Sequence, residues 1–172
     1  SVADGGCAVI VSADALGPYP VRISGWAQHH NAQHISAMAS LSDFGSARCT
    51  QQALATAGRG LGDVQYAAIY DSFTITLTML LEEMGLAPRG RAGHLAREGH
   101  FGRGGRMPLN LHGGLLSYGH CGVAGAMAHL AESHLQMTGR AGVRQVPRAG
   151  VSLLHADGGV LSSHVSLVME AP

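Results

Sequence analysis

The sequence predicts an α/β fold in which a mixed β-sheet is covered by α-helices. Short apolar runs of strand length alternate with longer segments of helical pattern in the order β, β, α, β, α, loop, α, β, β. The 172 residues fit a single domain, and 46% apolar against 13% charged residues is typical of a globular chain with a well-filled core.

Five segments predict the strands of this sheet. Residues 7–12 form an apolar run short enough for a strand that is buried on both faces, and VRISGWAQHH at residues 21–30 predicts a second strand. VQYAAIYD at residues 64–71 predicts a third. GVSLLHA and VLSSHVSLVME predict a closing hairpin across Asp157, Gly158 and Gly159.

Three segments carry helix signals. Residues 44–58 have Ser42 or Asp43 as the expected N-cap and a glycine at their end. Residues 73–84 are apolar and precede Gly85, and residues 122–138 precede Gly139. The segments at residues 29–42 and 89–106 are expected to be loops, the second of them rich in arginine and glycine.

Charge and composition exclude several functions. Asp plus Glu equal Lys plus Arg at eleven each, and all eleven cations are arginines. A Schiff-base lysine and a P-loop lysine are therefore both missing from the sequence, and a net charge of zero argues against nucleic-acid binding. Three widely spaced cysteines indicate reduced thiols, and no apolar run has the length of a membrane span, so a cytoplasmic location is expected.

A metal site is not expected, although the chain has eleven histidines. The sequence contains no His-Glu-x-x-His motif and no Cys/His cluster. The nearest groupings are His29, His30 and His34, and His129 with His134, and neither has an acidic partner at ligand spacing.

Residues 107–125, MPLNLHGGLLSYGHCGVAG, are the strongest candidate for a functional site. Gly113 and Gly114 allow backbone conformations that other residues avoid, and Tyr118, His120 and Cys121 follow just before a helix. This pattern indicates a proton-transfer group beside an oxyanion site. A tight glycine turn with an incidental histidine fits the same residues.

A second candidate edge lies at the end of the third predicted strand. Tyr70, Asp71 and Ser72 follow its last apolar residue, and the carboxyl ends of strands are where layered α/β folds usually bind ligands.

Three stretches resemble the thiolase family, in particular its lipid-transfer-protein or sterol-carrier-like branch. NLHGGLLSYGHCGVAGAMAH resembles the family's asparagine, paired-glycine and Gly-His segment. IYDSFTITLTMLLEEMGL and LLHADGGVLSSHVSLVME resemble its Tyr/His-Asp-Cys/Ser-Phe segment and its glycine-rich hairpin. The resemblance covers residues 1–172 but only the C-terminal half of a thiolase. It implies a layered α/β half whose N-terminal, nucleophile-bearing partner half is absent.

The resemblance also implies roles for individual residues. His120 matches the family histidine that polarises a nucleophilic cysteine and lines an oxyanion hole, and Tyr70 stands where the family has an asparagine or histidine. Tyr70 and His120 are expected to converge on one cavity that can hold a thioester oxygen, and Tyr118 is expected in the same pocket. The backbone amides of Gly158 and Gly159 are expected at an oxyanion hole, and the expected substrate-binding residues are Asp71, Ser72, Asn110, Gly113 and Gly114.

Two positions depart from the family pattern. Ala156 stands where thiolases have a second catalytic cysteine, and neighbouring Asp157 or His155 is a weak substitute because a turn aspartate commonly serves the turn alone. Cys121 replaces the proline that usually follows the histidine, and it is interpreted as a packing residue.

The leading hypothesis is the C-terminal part of a thiolase-like enzyme that performs acyl transfer or carbon–carbon bond cleavage on acyl-CoA thioesters. Coenzyme A would be part of the substrate, with no covalently bound cofactor. The alternatives are a retro-aldolase of sterol-like CoA esters that works with a partner subunit, and a non-catalytic module that binds CoA esters or assists assembly. A cysteine hydrolase using Cys121 and His120 is disfavoured because adjacent residues seldom meet in a helical turn.

The missing half makes a partner expected. A sheet that normally buries one layer against another half would expose a large apolar surface when isolated. The partner is therefore predicted to be an N-terminal thiolase half or a second subunit, and self-association into a homo-oligomer is expected.

Overall fold

A computed structural model describes residues 2–171, and a four-stranded sheet lies at its centre. The strands are β1 (Arg22–His30), β2 (Tyr66–Ile69), β3 (Val151–Gly158) and β4 (Ser163–Glu170). Their order across the sheet is β1-β4-β3-β2. β1 and β3 are antiparallel to β4, whereas β2 is parallel to β3. The predicted mixed sheet and its closing hairpin are therefore confirmed.

Helices cover both faces of this sheet. α1 (Ser46–Ala57) and α2 (Thr74–Glu83) share one apolar core with β2 and β3, and α5 (Gly125–Met137) packs on the opposite face. The first core contains fully buried residues such as Phe44, Leu80 and Leu153. Burial of such side chains from two layers is what holds an α/β domain together.

The cap of α1 comes from a distant residue. The N-cap is Gly45, with φ of 94°, and neither Ser42 nor Asp43 takes that role. The Glu83 carboxylate accepts hydrogen bonds from Phe44 N at 2.7 Å, from Gly45 N at 3.0 Å and from the Ser46 hydroxyl. A carboxylate that accepts the free amides at a helix start stabilises them as a cap would.

The prediction of a first strand at residues 7–12 is wrong. Residues 7–12 form no strand in the structure, and their side chains are exposed, with Ile10 at 89% and Val11 at 75% exposure. A strand that is buried on both faces needs neighbouring strands and a second layer, and the described residues provide neither at this place.

Two short helices lie where no helix was predicted. α3 (Ala92–Arg97) interrupts the arginine-rich loop, and α4 (Gly114–Ser117) follows the paired glycines. The helices predicted at residues 44–58, 73–84 and 122–138 are present with shifted ends. Within residues 2–171, no helix combines the length and apolar character needed to cross a bilayer.

Candidate functional site

Tyr70 and His120 meet at the carboxyl end of β2. The Tyr70 hydroxyl oxygen lies 2.7 Å from His120 Nε2, and the two rings meet edge to face with centroids 5.8 Å apart. Tyr70 continues the parallel pairing of β2 with β3, because its backbone N–H donates to His155 O at 2.9 Å. The sheet therefore fixes the backbone of the tyrosine, and the predicted convergence with His120 is present.

The loop around His120 determines which ring nitrogen carries the proton. Gly122 N–H donates to His120 Nδ1 at 3.0 Å, so this nitrogen must present a lone pair. A neutral His120 then has its hydrogen on Nε2 and donates it to the Tyr70 oxygen. The hydroxyl hydrogen of Tyr70 stays free to point at another acceptor.

The N-terminal segment supports this loop. Val2 forms a parallel bridge with His120, and Ala3 N–H donates to His120 O at 3.1 Å. Gly5 lies against Cys121, where an added Cβ would come within 3.2 Å of the thiol sulfur. Cys121 is thus half-buried against backbone, in keeping with its interpretation as a packing residue.

The surroundings of Tyr70 keep its phenol protonated. Partial burial raises the pKa of Tyr70, and the carboxylates of Asp157 and Asp71 raise it further. A phenol with a raised pKa acts as a hydrogen-bond donor at neutral pH. The pair is therefore suited to donate a hydrogen bond, or a proton, to an oxygen that becomes negative during a reaction.

Asp71 lies underneath the paired glycines. Its Oδ1 accepts from Leu115 N at 2.7 Å, and its Oδ2 accepts from Leu116 N at 3.4 Å. A Cβ on Gly114 would come within 2.0 Å of Oδ2, so only glycine allows this approach. Asp71 is 3% exposed and caps α4. Its predicted contact with substrate stays a prediction.

Asn110 also serves the backbone. Its Oδ1 accepts from Ile69 N at 2.9 Å and its Nδ2 donates to Ile69 O at 2.7 Å. Asn110 takes a φ of 47°, a left-handed conformation that asparagine tolerates. The side chain extends the pairing of residues 108–110 along β2 and so connects the glycine turn to the strand that carries Tyr70.

Tyr118 contacts the first of a pair of histidines, His112 and His129, and the His129 ring centroid is also 6.5 Å from that of Tyr70. Tyr118 is 69% exposed, and its ring centroid is 5.6 Å from that of His112. His112 is in turn 5.0 Å from His129, whose Nε2 is 3.3 Å from Asp71 Oδ1 without hydrogen-bond geometry. Burial lowers the pKa of His112 to about 4. The sequence gives no local signal for this pair, because a spacing of 17 residues matches no helix or strand contact.

The hairpin turn places the remaining predicted residues. Gly158 ends β3, and Gly159 follows with a φ of 60°, both exposed. Ala156 comes directly after His155, whose carbonyl accepts from Tyr70, so the position of the family's second cysteine lies beside the Tyr70 backbone. Ser72 is half-buried just beyond Asp71.

Asp157 is the carboxylate next to the turn of this hairpin. Burial raises its pKa, and its Oδ1 is buried without a hydrogen-bond partner among the described residues. In residues 2–171 no group of three or more His, Cys, Asp or Glu side chains is arranged to hold a metal ion.

The layered α/β fold is that of a thiolase-like domain. Residues 27–171 match the family described as thiolase C-terminal domain-like, and the chain belongs to that family.

Relatives with curated names agree with this family. The chain is 30% identical over 164 residues to the benzoylsuccinyl-CoA thiolase subunit BbsB of Thauera aromatica, covering 92% of this chain and 43% of that protein. It is 40% identical over 98 residues to sterol carrier protein 2 of Rattus norvegicus, covering 57% of this chain and 18% of that protein. The chain thus spans less than half the length of these relatives.

Solved structures show the same fold. An Ltp2-ChsH2(DUF35) aldolase has a TM-score of 0.74 and 29% identity over 89% of this chain and 40% of that chain. A monomeric SCP2-thiolase-like protein type 1 from Mycobacterium smegmatis has a TM-score of 0.61 and 24% identity, covering 89% of this chain and 29% of that chain.

Proposed function

We propose that this chain supplies the proton-donating part of an acyl-CoA active site that performs acyl transfer or carbon–carbon bond cleavage. A second polypeptide segment would complete the site with a cysteine nucleophile where the reaction needs one. The observation that carries the proposal is the Tyr70–His120 hydrogen bond, with the histidine tautomer determined by Gly122 N–H.

The chemistry common to these reactions is a thioester enolate. When the bond between the α and β carbons of a 3-hydroxyacyl-CoA breaks, the 3-hydroxyl gives its proton to a base from the completing segment and its oxygen becomes the carbonyl of the leaving product. The electron pair of the broken bond moves into the thioester group, so negative charge develops on the thioester oxygen. The free hydroxyl hydrogen of Tyr70 is available to donate to that oxygen, while His120 donates to the phenol from behind. Two aligned donors of this kind stabilise a developing oxyanion far better than bulk water does.

The absence of a cysteine at position 156 favours cleavage of a 3-hydroxyacyl-CoA over condensation. In the family pattern a second cysteine moves protons at this position, and Ala156 cannot. The half-buried phenol of Tyr70 and imidazole of His120 are the proton-transfer groups that remain. The Ltp2-ChsH2(DUF35) aldolase has the same fold, and this similarity supports the retro-aldol alternative for this chain.

The test is turnover by the chain together with a nucleophile-bearing N-terminal thiolase half. We expect cleavage of 3-hydroxyacyl-CoA or thiolysis of 3-ketoacyl-CoA, with kcat reduced about 100-fold or more in Tyr70→Phe. Tyr19→Phe is the matched control, because the Tyr19 ring lies against Arg140 and its contact with a histidine, His134, is made by the backbone carbonyl, which the substitution keeps. Equal activity of Tyr70→Phe and the wild type would refute the proposed role of the phenol.

A binding or assembly module is the second candidate, and one observation favours it. The N-terminal segment exposes Val9, Ile10 and Leu16 at 51%, 89% and 61%, and Trp26 of β1 is 65% exposed. Monomeric proteins rarely leave this much apolar surface uncovered. We propose that the N-terminal thiolase half or a second copy of this chain covers it. CoA-ester affinity that is unchanged in Tyr70→Phe and His120→Ala, without turnover by the wild type, would favour the module.

A further inference from the structure

The turn that joins β3 to β4 has an unusual backbone. Gly159, Val160 and Leu161 have φ angles of 60°, 57° and 62°, so three consecutive residues are left-handed. Outside glycine this conformation is uncommon and occurs mostly at single residues, and it is least favourable for a β-branched residue such as Val160. A backbone of this kind persists only when surrounding contacts hold it in place.

Hydrogen bonds from within the hairpin hold the turn, including those from Ser162 N and Ser162 Oγ to Gly158 O, each at 3.2 Å. Leu161 N–H donates to Asp157 Oδ2 at 3.2 Å, and Ser162 Oγ donates to Gly159 O at 2.9 Å. The Leu161 carbonyl accepts from His164 Nε2 at 3.1 Å. Leu161 itself is 2% exposed and packs into the main core, so its peptide groups have little access to water.

A buried chain of hydrogen bonds stands behind His164. His164 Nδ1 lies 3.1 Å from His155 Nε2, and His155 Nδ1 lies 2.8 Å from Ser166 Oγ. Ser166 Oγ is 3.3 Å from Thr50 Oγ1 on α1. His155, His164 and Ser166 are each 0% exposed.

Only one assignment of hydrogens satisfies this chain with neutral rings. The Leu161 carbonyl can only accept, so His164 carries its hydrogen on Nε2 and presents a lone pair on Nδ1. His155 must then donate from Nε2 and accept on Nδ1, and the Ser166 hydroxyl must donate to His155. Reversing the His155–His164 bond would require an imidazolium in a buried site, where the charged form is strongly disfavoured.

We propose that His164 is a positioning residue for the turn at residues 158–161, and that His155 sets the tautomer in which His164 holds the Leu161 carbonyl. The device thereby holds the backbone of Gly158, which ends β3, and of Gly159, which follows it. Its connection to catalysis rests on the proposed function and on the expectation, from the family resemblance, that the amides of Gly158 and Gly159 line an oxyanion hole. The hydrogen-bond chain itself does not depend on that function.

The first test is the tautomeric state of the wild-type chain, measured by ¹⁵N NMR of the imidazole rings at neutral pH. We expect both His155 and His164 to be neutral with the hydrogen on Nε2. A hydrogen on Nδ1 of either ring, or a charged ring, would overturn the proposal, and this measurement needs no variant that could fail to fold.

The second test is amide hydrogen exchange at Leu161 and Ser162, compared with Leu153 in the middle of β3. In His164→Leu we expect the exchange rates of the turn amides to increase at least about tenfold more than that of Leu153. The reason is that loss of the His164 contact should favour local opening of the turn, whereas Leu153 reports opening of the central strand. His164→Gln keeps an N–H donor and is expected to restore turn exchange to within about threefold of the wild type. Equal acceleration at all three amides, or no rescue by glutamine, would refute a positioning role.

Thr50→Val is the matched control within the same network. Its hydroxyl lies at the far end of the chain, and Ser166 still donates to His155 without it. In this variant we therefore expect the exchange rates of Leu161 and Ser162 to change by the same factor as that of Leu153. In the reconstituted enzyme, His164→Leu should lower kcat about tenfold or more with little change in KM. A wild type without turnover would count against the proposed function alone, since the NMR measurements would still decide the role of His164.

Discussion

The Tyr70 hydroxyl and His120 Nε2 lie 2.7 Å apart although 50 residues separate them in the sequence. The contact depends on two backbone arrangements, the pairing of Tyr70 with β3 and the loop that directs Gly122 N–H at the other ring nitrogen. Several consequences of this architecture can be measured on the chain itself.

Replacing Gly114 by alanine should destabilise the domain by about 2 kcal/mol or more. The residue has a φ of 62°, and a Cβ there would come within 2.0 Å of the Asp71 carboxylate. Urea unfolding measures the loss. Gly139→Ala is the control, because its φ of 70° imposes similar backbone strain with nothing within 4 Å of the added atom. A cost in Gly114→Ala no greater than in the control would contradict the proposed clash.

Glu83→Gln should lower the free energy of unfolding by about 1–3 kcal/mol, because the neutral amide is a weaker acceptor for the amides at the start of α1. Chemical denaturation with far-ultraviolet circular dichroism checks this. Glu98→Gln removes one charge from an exposed side chain and should change stability by less than about 0.5 kcal/mol. Similar effects of the two substitutions would argue against capping by Glu83.

Stability should fall as the pH drops from about 6.5 towards 3. Burial lowers the pKa of His155 to about 3 and also lowers that of His164, so the unfolded chain binds protons that the native chain refuses. The contribution of the two neutral histidines to the free energy of unfolding is complete above the pKa that a histidine has in the unfolded chain. Below that pKa the contribution falls by up to about 1.4 kcal/mol per pH unit for each histidine. Besides each other and Ser166, the groups that face the pair are Glu83 and His29, which act on His164.

Urea midpoints measured between pH 7 and pH 4 test this dependence. His155→Gln removes one titrating ring, so the urea midpoint should depend less steeply on pH than in the wild type. This expectation holds whatever the substitution does to stability at pH 7. His30→Gln is the control, since His30 is exposed and should leave the slope as in the wild type. A slope in His155→Gln equal to that of the wild type would show that the buried ring does not titrate as argued.

Charges placed on the exposed apolar segment should reduce association. Ile10→Glu and Trp26→Glu alter side chains that are 89% and 65% exposed, and we expect each to shift the chain towards monomer in sedimentation velocity or to weaken binding of an N-terminal thiolase half. Val143→Glu changes an equally exposed valine, 87%, on a turn next to α5 and should have no effect. Identical sedimentation of all three variants would argue against this surface as the interface.

The sequence was sufficient to predict much of the architecture. Local pattern and backbone chemistry predict the strands β1 and β2, the closing hairpin and the glycine after α1. These features depend on residues that are neighbours in the sequence. The pairing of Tyr70 with His120 was also predictable, because strand ends and the glycine turn converge at one edge of the sheet. The family resemblance carried that inference, since spacing alone does not.

Other features required the folded chain. Three polar contacts join groups that are 37 to 45 residues apart in the sequence. They are the cap of α1 by Glu83, the cap of α4 by Asp71 and the pairing of Asn110 with Ile69. Residues 7–12 show the converse, because an apolar run becomes a buried strand only when other strands and another layer surround it. Local sequence determined which segments can be helices and strands. The tertiary structure decided which polar groups meet, because a buried hydrogen bond depends on the packing of whole elements and leaves no periodic signal along the chain.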